Sequence, residues 1–245
     1  MCVLLAAALL APGLGGAQVA LGSDCRALDA SPQQIITLSR AVPAQSLIVV
    51  SVVVNDVFTA LATSNPVSDN RSNGYALYDS AILSNLTGIL LTFAGRATQA
   101  LNVGDSIGVA YSTVGSASTQ GCAVATAFPA VLMLDDPSDA TGENSGNGTD
   151  WRVTSYATQY ANDLVYSAFA SAGAPGSIVA LVPAQGIGGA CSGDNSLCLL
   201  PAWNLGASMA GIQEGADAQS GNSTNWGALL ITFQSNDRIF ADGFE

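Results

Sequence analysis

Eight consecutive residues, Leu47-Ile48-Val49-Val50-Ser51-Val52-Val53-Val54, restrict this chain more than any other stretch. Stiff β-branched side chains fit the pleated surface of a sheet and disfavour helix. A run of this length without polar alternation predicts a strand buried on both faces, hence a central one. The rest of the chain agrees with a sheet. Charged helix formers are scarce, and Gly, Ser, Thr, Asn and Val dominate, which favours short strands separated by turns.

Strands are predicted at Ile35–Leu38, at Phe58–Leu61, after the Asn73-Gly74 turn signal, at Ile89–Phe93, and at Ile107–Tyr111, where a polar turn at 102–105 precedes. Phe128–Leu134 reads as another buried run. Trp151–Ser155, Asp163–Phe169, Ile178–Val182 and Trp226–Phe233 complete the set. Residues 135–150 form the longest polar stretch and read as a loop or linker, the one credible boundary inside the chain. Two places compete with an all-β reading. Tyr156, Tyr160 and Leu164 recur at helical spacing, and the Ala-rich stretch 205–219 has helical character weakened by its glycines. No internal repeat is convincing. The expectation is an all-β chain with one domain at 21–235 that carries the long polar loop 135–150.

The ends point to export. Met1 to Leu10 is an apolar run of the length of a signal-peptide core, too short to span a bilayer, and Pro12 and glycines break it. Small residues allow cleavage after Ala17 or Ala20, so residues 1–20 are expected to be a signal peptide. The usual basic start is missing, which suggests a start site further upstream. No later run has the length of a membrane span. With Cys2 in the signal, Cys25, Cys122, Cys191 and Cys198 remain, an even number that reads as two disulfides in an exported protein. Of the three pairings four cysteines allow, the turn-rich segment between them favours Cys191–Cys198, leaving Cys25–Cys122.

Charge and missing residue types narrow the chemistry. Six basic residues, all Arg, stand against 18 acidic ones, a formal charge of −12. Such a surface repels nucleic-acid phosphates and anionic membranes. There is no His, which removes the usual neutral-pH general base, the commonest metal ligand, and the Ser-His-Asp and Cys-His nucleophile systems. Lys is absent too, so no Schiff base or phosphate-loop lysine exists. No cofactor is expected and no catalytic residue is assigned.

What survives is carboxylate chemistry and oxygen ligation of hard cations. Asp135, Asp136, Asp139, Glu143 and Asp150 offer a calcium its oxygens, although the EF-hand order is absent and a solvated acidic loop is the plainer reading. Asp105, Asp163 and Glu214 flank strand-like segments, the setting of a glycosidase-like pair if two converge. Trp151, Trp203 and Trp226, with tyrosines 75, 78, 156 and 160, are candidates for an aromatic sugar platform; core packing is the commoner fate of such tryptophans.

Two resemblances add expectations. Ile239-Phe240-Ala241-Asp242-Gly243-Phe244-Glu245, within 236–245, resembles the Ile-Phe-x-Asp-Gly-Phe-Glu tail of secreted proteins of some Gram-negative bacteria. Ser46–Val50, Asp69–Tyr75, Asn162–Val165 and Ile231–Phe233 resemble segments of a broad class of bacterial extracellular sandwich domains, from which the Cys191–Cys198 insert departs. That class implies a jelly-roll or immunoglobulin-like β-sandwich in cell-surface or adhesive proteins. The expected function is a non-catalytic domain, adhesive or structural, secreted or on the outer surface of a Gram-negative bacterium, with a surface glycan or protein as partner. A carbohydrate-binding module and a carboxylate-dependent hydrolase are the alternatives.

Overall fold

The computed structural model describes residues 18–28, 32–116, 118–128, 140–159 and 163–234. The expected signal segment up to residue 17, the tail 236–245, and Asp135, Asp136 and Asp139 lie outside the described residues. The described chain is built of strands: β1 (Val19–Ala27), β2 (Gln33–Thr37), β3 (Leu47–Val54), β4 (Ala60–Leu61), β5 (Val67–Asp69), β6 (Ala76–Ile82), β7 (Ile89–Arg96), β8 (Ser106–Thr113), β9 (Gln120–Phe128), β10 (Thr141–Ala157), β11 (Leu164–Ala172), β12 (Ile178–Leu181), β13 (Gln185–Gly186), β14 (Ala190–Cys191), β15 (Leu197–Leu205) and β16 (Gln213–Phe233). The one helical turn among them is a 3-10 turn at Ser84–Leu86. No helix of the described residues is long and apolar enough to cross a membrane.

All pairings among the described strands are antiparallel. One sheet has the order β1-β9-β3-β7-β6, a second β10-β16-β11-β15-β13 with β12 on β16 and β14 on β15, and a third β2-β8-β4 with β5 also on β8. β3 holds the centre of the first sheet, as its all-apolar run requires. Leu47, Val49 and Val53 face the second sheet; Ile48, Val50, Val52 and Val54 face the third. Ser51, the run's one polar residue, is buried but satisfied: its hydroxyl is hydrogen-bonded to Tyr166 Oη at 2.7 Å and Thr92 Oγ1 at 3.1 Å.

The acidic stretch corrects the sequence reading. Thr141 to Asp150 is not a loop but the first half of β10. Residues 141–148 pair with the end of β16, and after a bulge at Gly148/Asp150 residues 150–157 pair with its beginning. Gly142 faces the Thr154 carbonyl so closely that a Cβ would overlap it, and Asn144 Nδ2 donates to the Arg152 carbonyl at 2.7 Å. The second half of β10 is therefore folded back over the first, and β16 and β12 go with it. This makes a fourth layer, sealed by Trp151, Val153, Phe169, Ala216, Trp226 and Leu230 among others. Residues 205–219, read as partly helical, instead run from β15 through a turn into β16. Tyr156 and Leu164 likewise sit on separate strands.

A repeat that the amino-acid order conceals is plain in the pairing. β3 lies between β9 and β7; β11 lies between the second half of β16 and β15. β1 flanks β9 as the first half of β10 flanks that half of β16. β2 and β5 pair with β8; the second half of β10 and β12 pair with the first half of β16. Register agrees: Leu47 opposes Phe128 and Arg96, and Leu164 opposes Phe233 and Leu205. The chain is two topologically equivalent two-layer units whose inner sheets share one core. The first unit ends with β9 at Phe128 and the second begins with β10 at Thr141, so most of the polar stretch 135–150 belongs to β10 rather than to a boundary.

Both disulfides form as favoured, each across directly paired positions: Cys25–Cys122 between β1 and β9, and Cys191–Cys198 between β14 and β15. The expected signal boundary at Ala20 falls inside β1, where Val19 and Ala20 oppose Ala127 and Thr126.

Candidate functional site

The three tryptophans do not form a platform. Trp203 is 7% exposed in the core between the inner sheets. Trp151 and Trp226, 1% and 6% exposed, stack on each other with centroids 6.2 Å apart beneath the folded layer. Large flat side chains fill these layer gaps, so the sugar-platform expectation for Trp151, Trp203 and Trp226 is corrected to core packing.

The two described members of the calcium expectation lie on either side of the bulge in β10: Glu143 on its first half and Asp150 at the start of its second, where Asp150 Oδ1 accepts from Gln219 Nε2. Among the described residues no three His, Cys, Asp or Glu gather closely enough to hold a metal.

The three carboxylates also part company. Asp105 enters β8 in the first layer and Glu214 lies in the fourth. Three sheet spacings of about 10 Å put roughly 30 Å between them. They occupy equivalent places in the two units, and each clamps a turn. Asp105 accepts from Asn102 N at 2.8 Å, Asn70 Nδ2 at 2.8 Å and Arg71 Nε at 2.9 Å. Those hydrogen bonds, Arg71's first, hold its carboxyl well below the usual carboxylate range. Glu214 Oε1 accepts from Ala207 N at 2.6 Å, and the Asp163 carbonyl accepts from the adjacent Gly206 N at 2.7 Å. Asp163 and Glu214 thus meet at one turn, the only two of the three that come together.

The Asp69–Tyr75 turn is a self-satisfied knot. Asp69 accepts from Arg71 N, Asn73 N, Asn73 Nδ2 and Tyr75 Oη. Asn73 Oδ1 accepts from Thr98 Oγ1 and Gln99 N. Burial, then the Asp69 carboxylate, push the Tyr75 phenol far up, so it stays neutral. These groups lock the approach to β6 onto the loop after β7.

An open site exists elsewhere. β6 is the outer strand of the first inner sheet and β10 that of the second, and a groove of about 1030 Å³ runs between them. Asp79, Ser80 and Ile82 line it from β6; Thr141, Glu143, Asn144 and Ser145 from β10; Tyr156 and Gln213 from the folded layer. Tyr156 is 75% exposed. The equivalent seam on the other side is bridged by contacts. There Gly188 packs on Ala20, Gln120 Nε2 donates to Asp194, and Ser196 Oγ donates to Gln120 around the disulfide-bracketed insert. The groove offers amides, hydroxyls, two carboxylates and one exposed ring: equipment for binding a polar ligand. Sequence reading put Tyr156 and Glu143 in other groupings and missed Asp79, Ser80 and Gln213. The groove joins strands from two units, and nothing local marks its residues.

No protein-family model matches the chain, and no curated protein matches it.

Proposed function

We propose that this chain is a non-catalytic extracellular or cell-surface domain of the jelly-roll or immunoglobulin-like sandwich kind, adhesive or structural, exported by a Gram-negative bacterium. The non-catalytic part is supported by the absence of His and Lys from the sequence, with Asp105 held by Arg71 and Glu214 by the Ala207 amide, each fixing a turn. The apolar N-terminal run, the cysteine pairing and the Ile-Phe-x-Asp-Gly-Phe-Glu tail support export. Cleavage after Ala17 keeps β1 whole; cleavage after Ala20 strips two of its paired residues. The test is fractionation of the native host with N-terminal sequencing of the protein. A mature start near Gln18 in the extracellular or surface fraction is expected; intact Met1 in the cytoplasm overturns export. Turnover on an esterase, protease and glycosidase panel, abolished by a single Asp or Glu substitution, overturns the non-catalytic reading.

A glycan partner is the reading the groove favours. Sugars are bound by amide and carboxylate hydrogen bonds combined with an exposed ring, and Gln213, Asp79, Glu143 and Tyr156 supply that set along one seam. On a glycan array, hits that vanish with Tyr156→Ala and survive chelation are expected. Hits retained by that variant place the ligand elsewhere.

A further inference from the structure

β12 is an outer strand, and it is bare. Its one partner among the described strands is β16. Gly221 N donates to the Ser177 carbonyl, so by antiparallel alternation residues 177, 179 and 181 aim their peptide groups at β16. Ile178 and Ala180 then aim theirs outward, with no partner among the described strands. Exposed apolar side chains accompany them: Val179 is 48%, Leu181 39% and Val182 93% exposed. Open strand edges are normally guarded by charge, and this one is not. From Leu164 to Gly193 the sequence holds no ionisable side chain except tyrosine and cysteine. The equivalent strand of the first unit, β5, ends in Asp69 and is tied into the Asp69–Tyr75 knot. The edges of β6, β10 and β1 carry Asp79, Glu143 and Asp24.

We infer that β12 is the interface for a second copy of this chain, paired antiparallel across a two-fold axis at Ala180. The occupant follows from charge and register. A protein of formal charge −12 repels its own copies, and this neutral edge is where two of them approach with least acid facing acid. The symmetric register is self-complementary. Ala180 opposes its own copy in a hydrogen-bonded pair, and Ile178 comes opposite Val182, where the turn after the other copy's strand begins. Val179 then lies against Leu181 of the other copy, covering both. The fourth layers of two molecules become one continuous sheet. An edge four residues long buries too little for an obligate dimer, so association is weak and concentration-dependent.

Sedimentation equilibrium across the micromolar range, on the full secreted protein, tests this. A monomer–dimer equilibrium is expected. Val179→Glu and Leu181→Lys each abolish it while leaving the melting temperature within a degree or two, because both side chains are exposed. An equimolar mixture of the two variants restores a dimer, since the carboxylate introduced in one then faces the ammonium introduced in the other across the interface. A wild-type monomer throughout the range, or a dimer indifferent to Val179→Glu, overturns the inference.

Discussion

At the scale of single residues, polar groups in this chain act mostly as internal ties. Asp105 binds Arg71, Asn70 and the Asn102 amide at once, joining the turn after β5 to the turn before β8. Its folded value lies below the ordinary one, so its contribution is fully present above about pH 4 and is lost as pH falls further. Asp105→Asn keeps the shape and removes the anion. A lower melting temperature than wild type is expected at pH 7, with the two curves converging as the pH drops below about 4. A gap that stays constant into strong acid assigns the loss to something other than charge. Tyr166 is a second tie. It is buried between the inner sheets, where burial pushes its phenol well up and keeps it neutral against Ser51. Tyr166→Phe leaves the ring packing intact and removes one buried hydrogen bond, for an expected loss of about 1 kcal/mol in chemical denaturation. No measurable loss means that Thr92 alone satisfies Ser51.

At the scale of elements, legibility followed side-chain size. β3, β7, β8, β11, β12 and the end of β16 were readable because large apolar residues mark them at strand spacing. β9 was assigned only at its last residue. Its body, Gly121-Cys122-Ala123-Val124-Ala125-Thr126-Ala127, is made of small residues whose burial comes from neighbours on both faces. β10 was the larger miss. Its first half, Thr-Gly-Glu-Asn-Ser-Gly-Asn-Gly, has the composition of a loop, and only pairing with β16 makes it a strand. Glycine there serves close approach: Gly142 lies under the Thr154 carbonyl, where the strand folds back on itself. Gly142→Ala is therefore expected to destabilise by about 1–3 kcal/mol through overpacking. Urea melts check it. A neutral result means that the two halves of β10 separate easily and that the fourth layer is loosely held.

At the scale of the molecule, the site was less legible than the fold, and for the same reason. The groove joins β6 of one unit to β10 of the other, and its residues come together only once both inner sheets have packed. That packing also decides how the protein unfolds. Leu47, Val49 and Phe128 from the first unit and Tyr166, Leu229 and Phe233 from the second lie in one core, with Phe128 edge-on to Tyr166 and Tyr78 against Phe233. Neither unit can be exposed on that face without losing contacts made by the other, so calorimetry should give one cooperative transition rather than two. The disulfides bear on this unequally. Cys25–Cys122 spans 97 residues and confines the first unit, worth about 4–5 kcal/mol by chain entropy; Cys191–Cys198 spans 7 and is worth about 2–3. Replacing Cys25 and Cys122 together by Ser should lower the single transition strongly, and replacing Cys191 and Cys198 should lower it less, with the peak undivided in both cases. A split peak in the first variant, with one half melting at the wild-type temperature, would mean that the second unit stands alone and that the shared core contributes little to its stability.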